Sequence, residues 1–189
     1  MTLRIRRAQM FDAAFAAPLI AQTIGSIGWT LTGTDNDEDA AHIIAQFFVG
    51  RGNRLSFTHT LIAEEGGRPV GLAVLYAGEL AHDLDEVFRE HRRMLGLPPE
   101  IVSEGQAGEL YLDTLALIPE VRGRGYGGQL LEACAQKADQ LGLPLALLVE
   151  AGNPAERLYT RSGFVPAEKV RLSGHEYTRM VRGRSSVSF

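Results

Sequence analysis

Apolar positions in this chain recur with two periods, and the switches between them lay out the elements. Leu3 and Ile5 alternate with Arg4 and Arg6, the pattern of a strand with one solvated face. Residues 11–24 are apolar and alanine-rich and predict a helix. Pro18, which has no N–H to give, must kink that helix or open its second half. Residues 35–49 predict another helix, with Ala40, Ile43, Ile44, Phe47 and Phe48 on one face. Asp35, Asp37, Glu38 and Asp39 crowd its first turn, where negative charge stabilises a helix end. Attraction of a cationic substrate is the other use for them. Residues 60–64 and 70–76 read as two strands of a hairpin joined through Glu65-Gly66-Gly67-Arg68.

Residues 79–106 look like a helical insertion, since Leu84, Val87, Phe88, His91 and Leu95 recur at helical spacing. His91 lies on that apolar face and reads as a packed histidine. Pro98 and Pro99 close the helix, and Gly105 and Gly108 bracket the approach to a strand over residues 110–117. Beyond it, Leu130, Leu131, Cys134, Ala138 and Leu141 make a helical stripe that Gly142 ends. Residues 145–149 are continuously apolar, as a strand covered on both faces should be. Strand, helix and strand form one βαβ unit with a parallel pair. Asn153 and Pro154 read as N-cap and first position of a short helix that Gly163 ends. Residues 164–172 and 176–181 are strands around a Ser173-Gly174 turn. The order is β-α-α-β-β-(α)-β-α-β-α-β-β.

Composition narrows the classes. A hydrophobic share of 45% and a charged share of 22% are those of an ordinary soluble chain. The net charge of −4 disfavours nucleic acid as a partner. One cysteine excludes an internal disulfide and supplies no metal cluster. Because Cys134 falls within an apolar stripe, it reads as a small buried hydrophobe and not as a nucleophile. The first ten residues lack an apolar core, and no apolar run reaches membrane-spanning length, so a cytoplasmic protein without a membrane partner is expected. Residues 1–182 read as one domain carrying the insertion, and residues 183–189 as a loose tail.

The chemistry concentrates at residues 118–128. Pro119 ends the strand pairing, and Gly123, Gly125, Gly127 and Gly128 leave main-chain N–H groups uncovered where a helix begins. An uncovered helix start carries unpaired donors and partial positive charge and so binds phosphate. Arg122 and Arg124 add full charges beside it. Gly123-Arg-Gly125-Tyr-Gly-Gly128 also matches G-x-G-x-x-G, with Glu150 at a strand end 22 residues beyond, the formal marks of a dinucleotide fold. Against that stand the four residues between strand and first glycine, the lone βαβ unit and the two arginines.

Arg122-Gly-Arg-Gly125-Tyr-Gly127 fits Q/R-x-x-G-x-G/A, and residues 112–117 precede it as a strand. Asn153-Pro-Ala155-Glu-Arg-Leu158-Tyr159, ending in Gly163-Phe164, follows. Together these resemble the acetyl-CoA loop, fourth strand and tyrosine helix of the GCN5-related N-acetyltransferases, the GNAT family. Asn153 stands one residue nearer Ala155 than that pattern has it, so the helix-cap reading stays beside the coenzyme contact. The resemblance implies an α/β (α+β) single-domain fold. Its central mixed, mostly antiparallel twisted sheet would carry one parallel βαβ pair at the coenzyme cleft and helices on both faces.

Acetyl transfer to an amine requires loss of the amine proton, stabilisation of an oxyanion and protonation of a thiolate. The resemblance implies that Leu115, Ala116 and Leu117 pair with the pantetheine arm of acetyl-CoA. The diphosphate would rest on Arg122, Gly123, Arg124, Gly125, Tyr126, Gly127 and Gly128, with Asn153 as a further contact. It implies Tyr159 as the donor to the coenzyme sulfur and Asp113 as a base candidate. Glu109, Tyr111 and Asp113 share one strand face by period-two alternation, so Tyr111 and Glu109 stand behind Asp113 for that role. The acceptor would be a small-molecule or protein amine, with no metal required, and a homodimer is compatible. A non-catalytic acyl-CoA sensor on the same fold is the rival reading, followed by a dinucleotide-dependent oxidoreductase.

Overall fold

A computed structural model describes residues 3–184. The tail read at 183–189 lies outside the described residues from 185 onward. Strand β1 (Leu3–Arg7) pairs antiparallel with β2 (Thr60–Glu65), and β2 with β3 (Arg68–Ala77) across the tight turn its two glycines allow. Strands β4 (Leu110–Leu117), β5 (Leu145–Glu150), β6 (Val165–Leu172) and β7 (His175–Arg182) complete a sheet of order β1-β2-β3-β4-β5-β7-β6. Every pairing is antiparallel except β4 with β5. That single parallel pair rules out the doubly wound sheet of a dinucleotide fold.

Helices cover both faces. Helix α1 (Ala13–Ile24) buries Ala16, Ala17 and Ile20, and α3 (Asp37–Val49) buries Ile44 and Phe48, against Ile62, Leu72 and Val74 of the sheet. On the opposite face α5 (Tyr126–Leu141) sets Leu130, Leu131, Cys134 and Ala138 on Leu110, Leu112, Leu145 and Leu147. Cys134 is buried as expected, and desolvation pushes its thiol up to about 12. The short α6 (Glu156–Arg161) lies beside the start of α5, with Leu158 against Gly127.

The N-terminal helices differ from the sequence expectation. Helix α1 starts at Ala13 after one 3-10 turn and runs unbroken through Pro18. The break falls at Gly25 instead, at φ 52, and a helix not foreseen, α2 (Ser26–Thr32), leaves it bent by 116°. Seven residues are too short for a periodic signal, and packing holds them: the Trp29 indole N–H donates to Asp37 at 2.8 Å. Helix α3 begins two residues later than expected, because Asn36 accepts from the Asp39 N–H as its N-cap. No helix among the described residues is long and apolar enough to cross a membrane.

Within residues 79–106, α4 (Ala81–Met94) is followed by an irregular segment. Its predicted stripe is only half used: Leu84 and Phe88 are buried, whereas Val87 and Leu95 are exposed. His91 is packed, its ring 5.3 Å from Phe47 and its Nε2 2.9 Å from the Thr32 carbonyl.

Candidate active site

Strand β4 sits between unlike neighbours, and this opens the sheet. It pairs with β3 over its whole length but with β5 only from Leu110 to Leu112. At that point Leu75 of β3 opposes Leu112 and Val74 opposes Thr114, so Asp113 is the extra residue of a β-bulge. A bulge bends the strand and increases its twist. Beyond it β5 continues with β7 alone, to Glu150 opposite Tyr177. Main-chain groups of β4 that would have met β5 therefore face a gap.

That gap is a cleft of about 700 Å³. Asp113, Thr114, Leu115, Ala116 and Leu117 line one wall, and Leu148, Val149 and Glu150 the other. The α1–α2 corner covers it with Gln22, Thr23 and Ser26, while Leu158 and Tyr159 of α6 close its far side.

The glycine loop stands at the cleft through Arg122 and Gly127. Gly123 and Gly125 adopt φ of 76° and 80°, a backbone that side chains resist. Gly125 is the N-cap of α5 and offers no side-chain cap, so the first N–H groups of the helix stay open. Gly127 packs closely on α6, since a Cβ there would meet the Leu158 side chain at 3.3 Å. Arg122 lies along the strand end, its Nε donating to the Leu117 carbonyl at 3.2 Å.

Two residues of the expected phosphate set send their side chains elsewhere. Arg124 pairs with Glu65 of β2, at 3.0 Å through one nitrogen, and also reaches the Tyr126 hydroxyl. Tyr126 is buried and its hydroxyl donates to the same Glu65. An arginine with a carboxylate in reach on the neighbouring strand is already neutralised, which correspondence of sequence motifs does not reveal. The Arg124 N–H donates to the Val121 carbonyl at 3.4 Å, so of these two residues only the main-chain N–H of Tyr126 remains for a ligand. Asn153 lines the cleft, and its side chain accepts from the Ala155 N–H at 2.9 Å. The regular helix starts only at Glu156, so Asn153 caps the turn before α6, two residues before the helix N-cap at Ala155.

Tyr159 packs its ring 5.9 Å from Phe164, and its hydroxyl has no hydrogen-bond partner among the described residues. Burial raises its pKa to about 12, which keeps the proton on the oxygen at neutral pH. Asp113 is 5% exposed, and desolvation, partly offset by Arg54, lifts its carboxyl to about 6. Tyr111 also lines the cleft, with its hydroxyl donating to Glu104 at 2.8 Å. Glu109 shares the strand side with them but not the cleft lining. It is buried in an ion pair with Arg179 at 2.7 Å and accepts from the Gln106 N–H.

The structure adds residues that the sequence pattern did not single out. Arg54, buried, meets Asp85, Glu104 and Asp113. At the opposite wall Glu150 lies 2.7 Å from the His175 Nδ1, with Tyr177 beside them. Arg54 stands in a polar stretch without periodicity, and nothing local marks it. Glu150 drew notice as a dinucleotide acid, yet its partner is a histidine on β7.

The family model described as the acetyltransferase (GNAT) family matches residues 26–164. Among solved structures, a crystal structure of an acetyltransferase superposes with a TM-score of 0.76 at 29% identity, covering 95% of this chain and 98% of that one. An N-acetyltransferase from Staphylococcus aureus Mu50 superposes at 0.80 with 22% identity, over 94% of this chain and 99% of that one. The NatC complex bound to Gag peptide and CoA shares the fold at a TM-score of 0.60 and 15% identity, over 98% of this chain and 100% of that one. No curated protein matches the sequence significantly.

Proposed function

The chain belongs to the GNAT acetyltransferase family, and from that premise we propose that it is an acetyl-CoA-dependent N-acetyltransferase, in which a primary amine attacks the thioester directly. The observation that carries this reading is the splayed β4–β5 gap, lined by both Asp113 and Tyr159, with the open start of α5 at its mouth. The reading treats residues 1–182 as one catalytic domain.

In this mechanism the main chain of Leu115, Ala116 and Leu117 holds the pantetheine arm as a further strand would be held, because β4 has no β5 partner beyond Leu112; the Leu117 carbonyl already accepts from Arg122. The N–H groups between Gly123 and Gly128 other than that of Arg124, with Arg122, hold the diphosphate. A main-chain N–H of the same β4 segment polarises the acetyl carbonyl and stabilises its oxygen as charge develops. Asp113 takes the amine proton, directly or through water, and Tyr159 gives its own proton to the departing sulfur. Cys134, buried and protonated, takes no part. NatC, whose structure holds CoA and a peptide, lends support to a coenzyme in this fold.

Incubation with acetyl-CoA and a panel of polyamines, aminoglycosides, amino acids and peptides, following CoA release, tests the reading. Tight coenzyme binding with no turnover on any amine would favour a sensor instead. Asp113 must be ionised to accept a proton, so kcat/KM should rise with pH through an acid limb near 6. Asp113→Asn should abolish that limb; a limb that persists removes Asp113 as base. Arg122→Ala should weaken acetyl-CoA binding about tenfold by calorimetry, the value of one charge-assisted contact of about 1.5 kcal/mol. An unchanged Kd would take Arg122 out of the site.

A further inference from the structure

Four segments far apart in sequence converge on one guanidinium. Arg54, from the loop before β2, is 1% exposed. Its NH1 nitrogen lies 2.9 Å from Glu104 and 3.3 Å from Asp113, and its Nε lies 3.2 Å from Asp85. Asp85 comes from α4, Glu104 from the segment that follows α4, and Asp113 from the bulge of β4. Each carboxylate has a further anchor: Ser103 donates to Asp85 at 2.7 Å, Tyr111 to Glu104 at 2.8 Å and Thr114 to Asp113 at 3.0 Å.

The charges do not balance. Three carboxylates share one cation in direct contact: Arg89 of α4 is paired with Glu86 and reaches Asp85 only through Ser103, while the neighbouring Arg179 is already matched by Glu109 and Glu168. A staple built for stability alone needs one acid for Arg54. Two surplus acids in a dry site repel one another and favour retention of a proton among them. Asp113 is the member of the cluster that combines this company with a position on β4 beside the thioester gap.

We propose that Arg54, Glu104 and Asp85 are positioning residues for Asp113, through which the α4 insertion decides when Asp113 can accept the proton of the acceptor amine. The inference rests on the reading of Asp113 as base. Arg54 fixes the carboxylate in the bulge, and the negative charges of Glu104 and Asp85 hold the proton on it to higher pH. The other ionisable groups facing Asp113 are Tyr76 of β3, with its hydroxyl 3.5 Å from Asp113, and Tyr111 of β4. Burial raises both phenols and keeps them neutral. Behind them His59, 6.3 Å from the Tyr76 ring, is pushed down by burial, and Arg179 and Tyr177 of β7 flank Glu104.

Two titrations test this on the full chain, in the wild type, Glu104→Gln and Asp85→Asn. One follows the Asp113 carboxyl by carbon NMR; the other is the pH profile of kcat/KM on whichever amine the panel identifies. Both substitutions keep shape and a hydrogen-bonding oxygen, and the second stands if the first fails to fold. Removal of either negative charge should move the Asp113 titration down by on the order of one pH unit and carry the acid limb with it. A carboxyl titration that stays in place in both variants overturns the inference while leaving Asp113 as base. A carboxyl that moves while the rate profile stays still shows that Asp113 does not govern the rate, and the reading beneath the inference falls with it.

Discussion

Tyr159→Phe should lower kcat by roughly a hundredfold or more while the Kd for acetyl-CoA stays within about twofold, the signature of a proton donor removed from the transition state. The substitution deletes one oxygen and keeps the ring that packs against Phe164, so the fold should be untouched. The hydroxyl has no hydrogen-bond partner among the described residues, so none of them is orphaned by its loss. Burial holds its pKa near 12, so the hydroxyl stays protonated at every working pH. Steady-state kinetics beside calorimetric coenzyme binding measure both halves. An unchanged kcat would make Tyr159 a packing residue.

Arg54→Met should cost the fold about 3–5 kcal/mol at neutral pH, the usual penalty for stripping the cation from a buried cluster. Methionine fills much of the volume, so the loss measures charge more than cavity. The pH dependence gives the sign. Asp113 titrates near 6 in the folded chain against an ordinary 3.8, so the folded state binds the proton more tightly. Protonation therefore favours folding, and this contribution is lost as pH rises from about 4 through 6. Without Arg54 the preference for protonated acids grows, so the deficit relative to wild type should shrink on going from pH 8 to pH 5. Urea unfolding at the two pH values checks it. A deficit that is small, or constant with pH, would mean that the cluster is held by packing and hydrogen bonds alone.

Much of this molecule can be read along the chain. The strand at 110–117, the glycine-started helix and the continuous apolar strand after it stand where their patterns put them, since each is fixed by contacts within one or two turns or by a single packed face, while the tyrosine helix starts two residues later than its pattern put it. Tyr159, Asp113, Leu115, Ala116, Leu117, Arg122 and Gly127 do line one cleft. The misses share a cause. Helix α2, the Arg124–Glu65 pair, the Glu109–Arg179 pair and the Arg54 cluster each depend on a partner chosen by tertiary packing.

Periodicity and glycine placement were sufficient for the element order apart from α2, and for the cradle, because local backbone preference and one-faced burial act at short range. The bulge at Asp113, the parting of β4 from β5 and the four-way meeting at Arg54 emerged from folding itself. Residues 54, 85, 104 and 113 have no shared period. Only the sheet, with α4 laid against it, brings their charges within 3.3 Å and out of water, where a carboxyl of ordinary sequence context becomes one that titrates near neutrality.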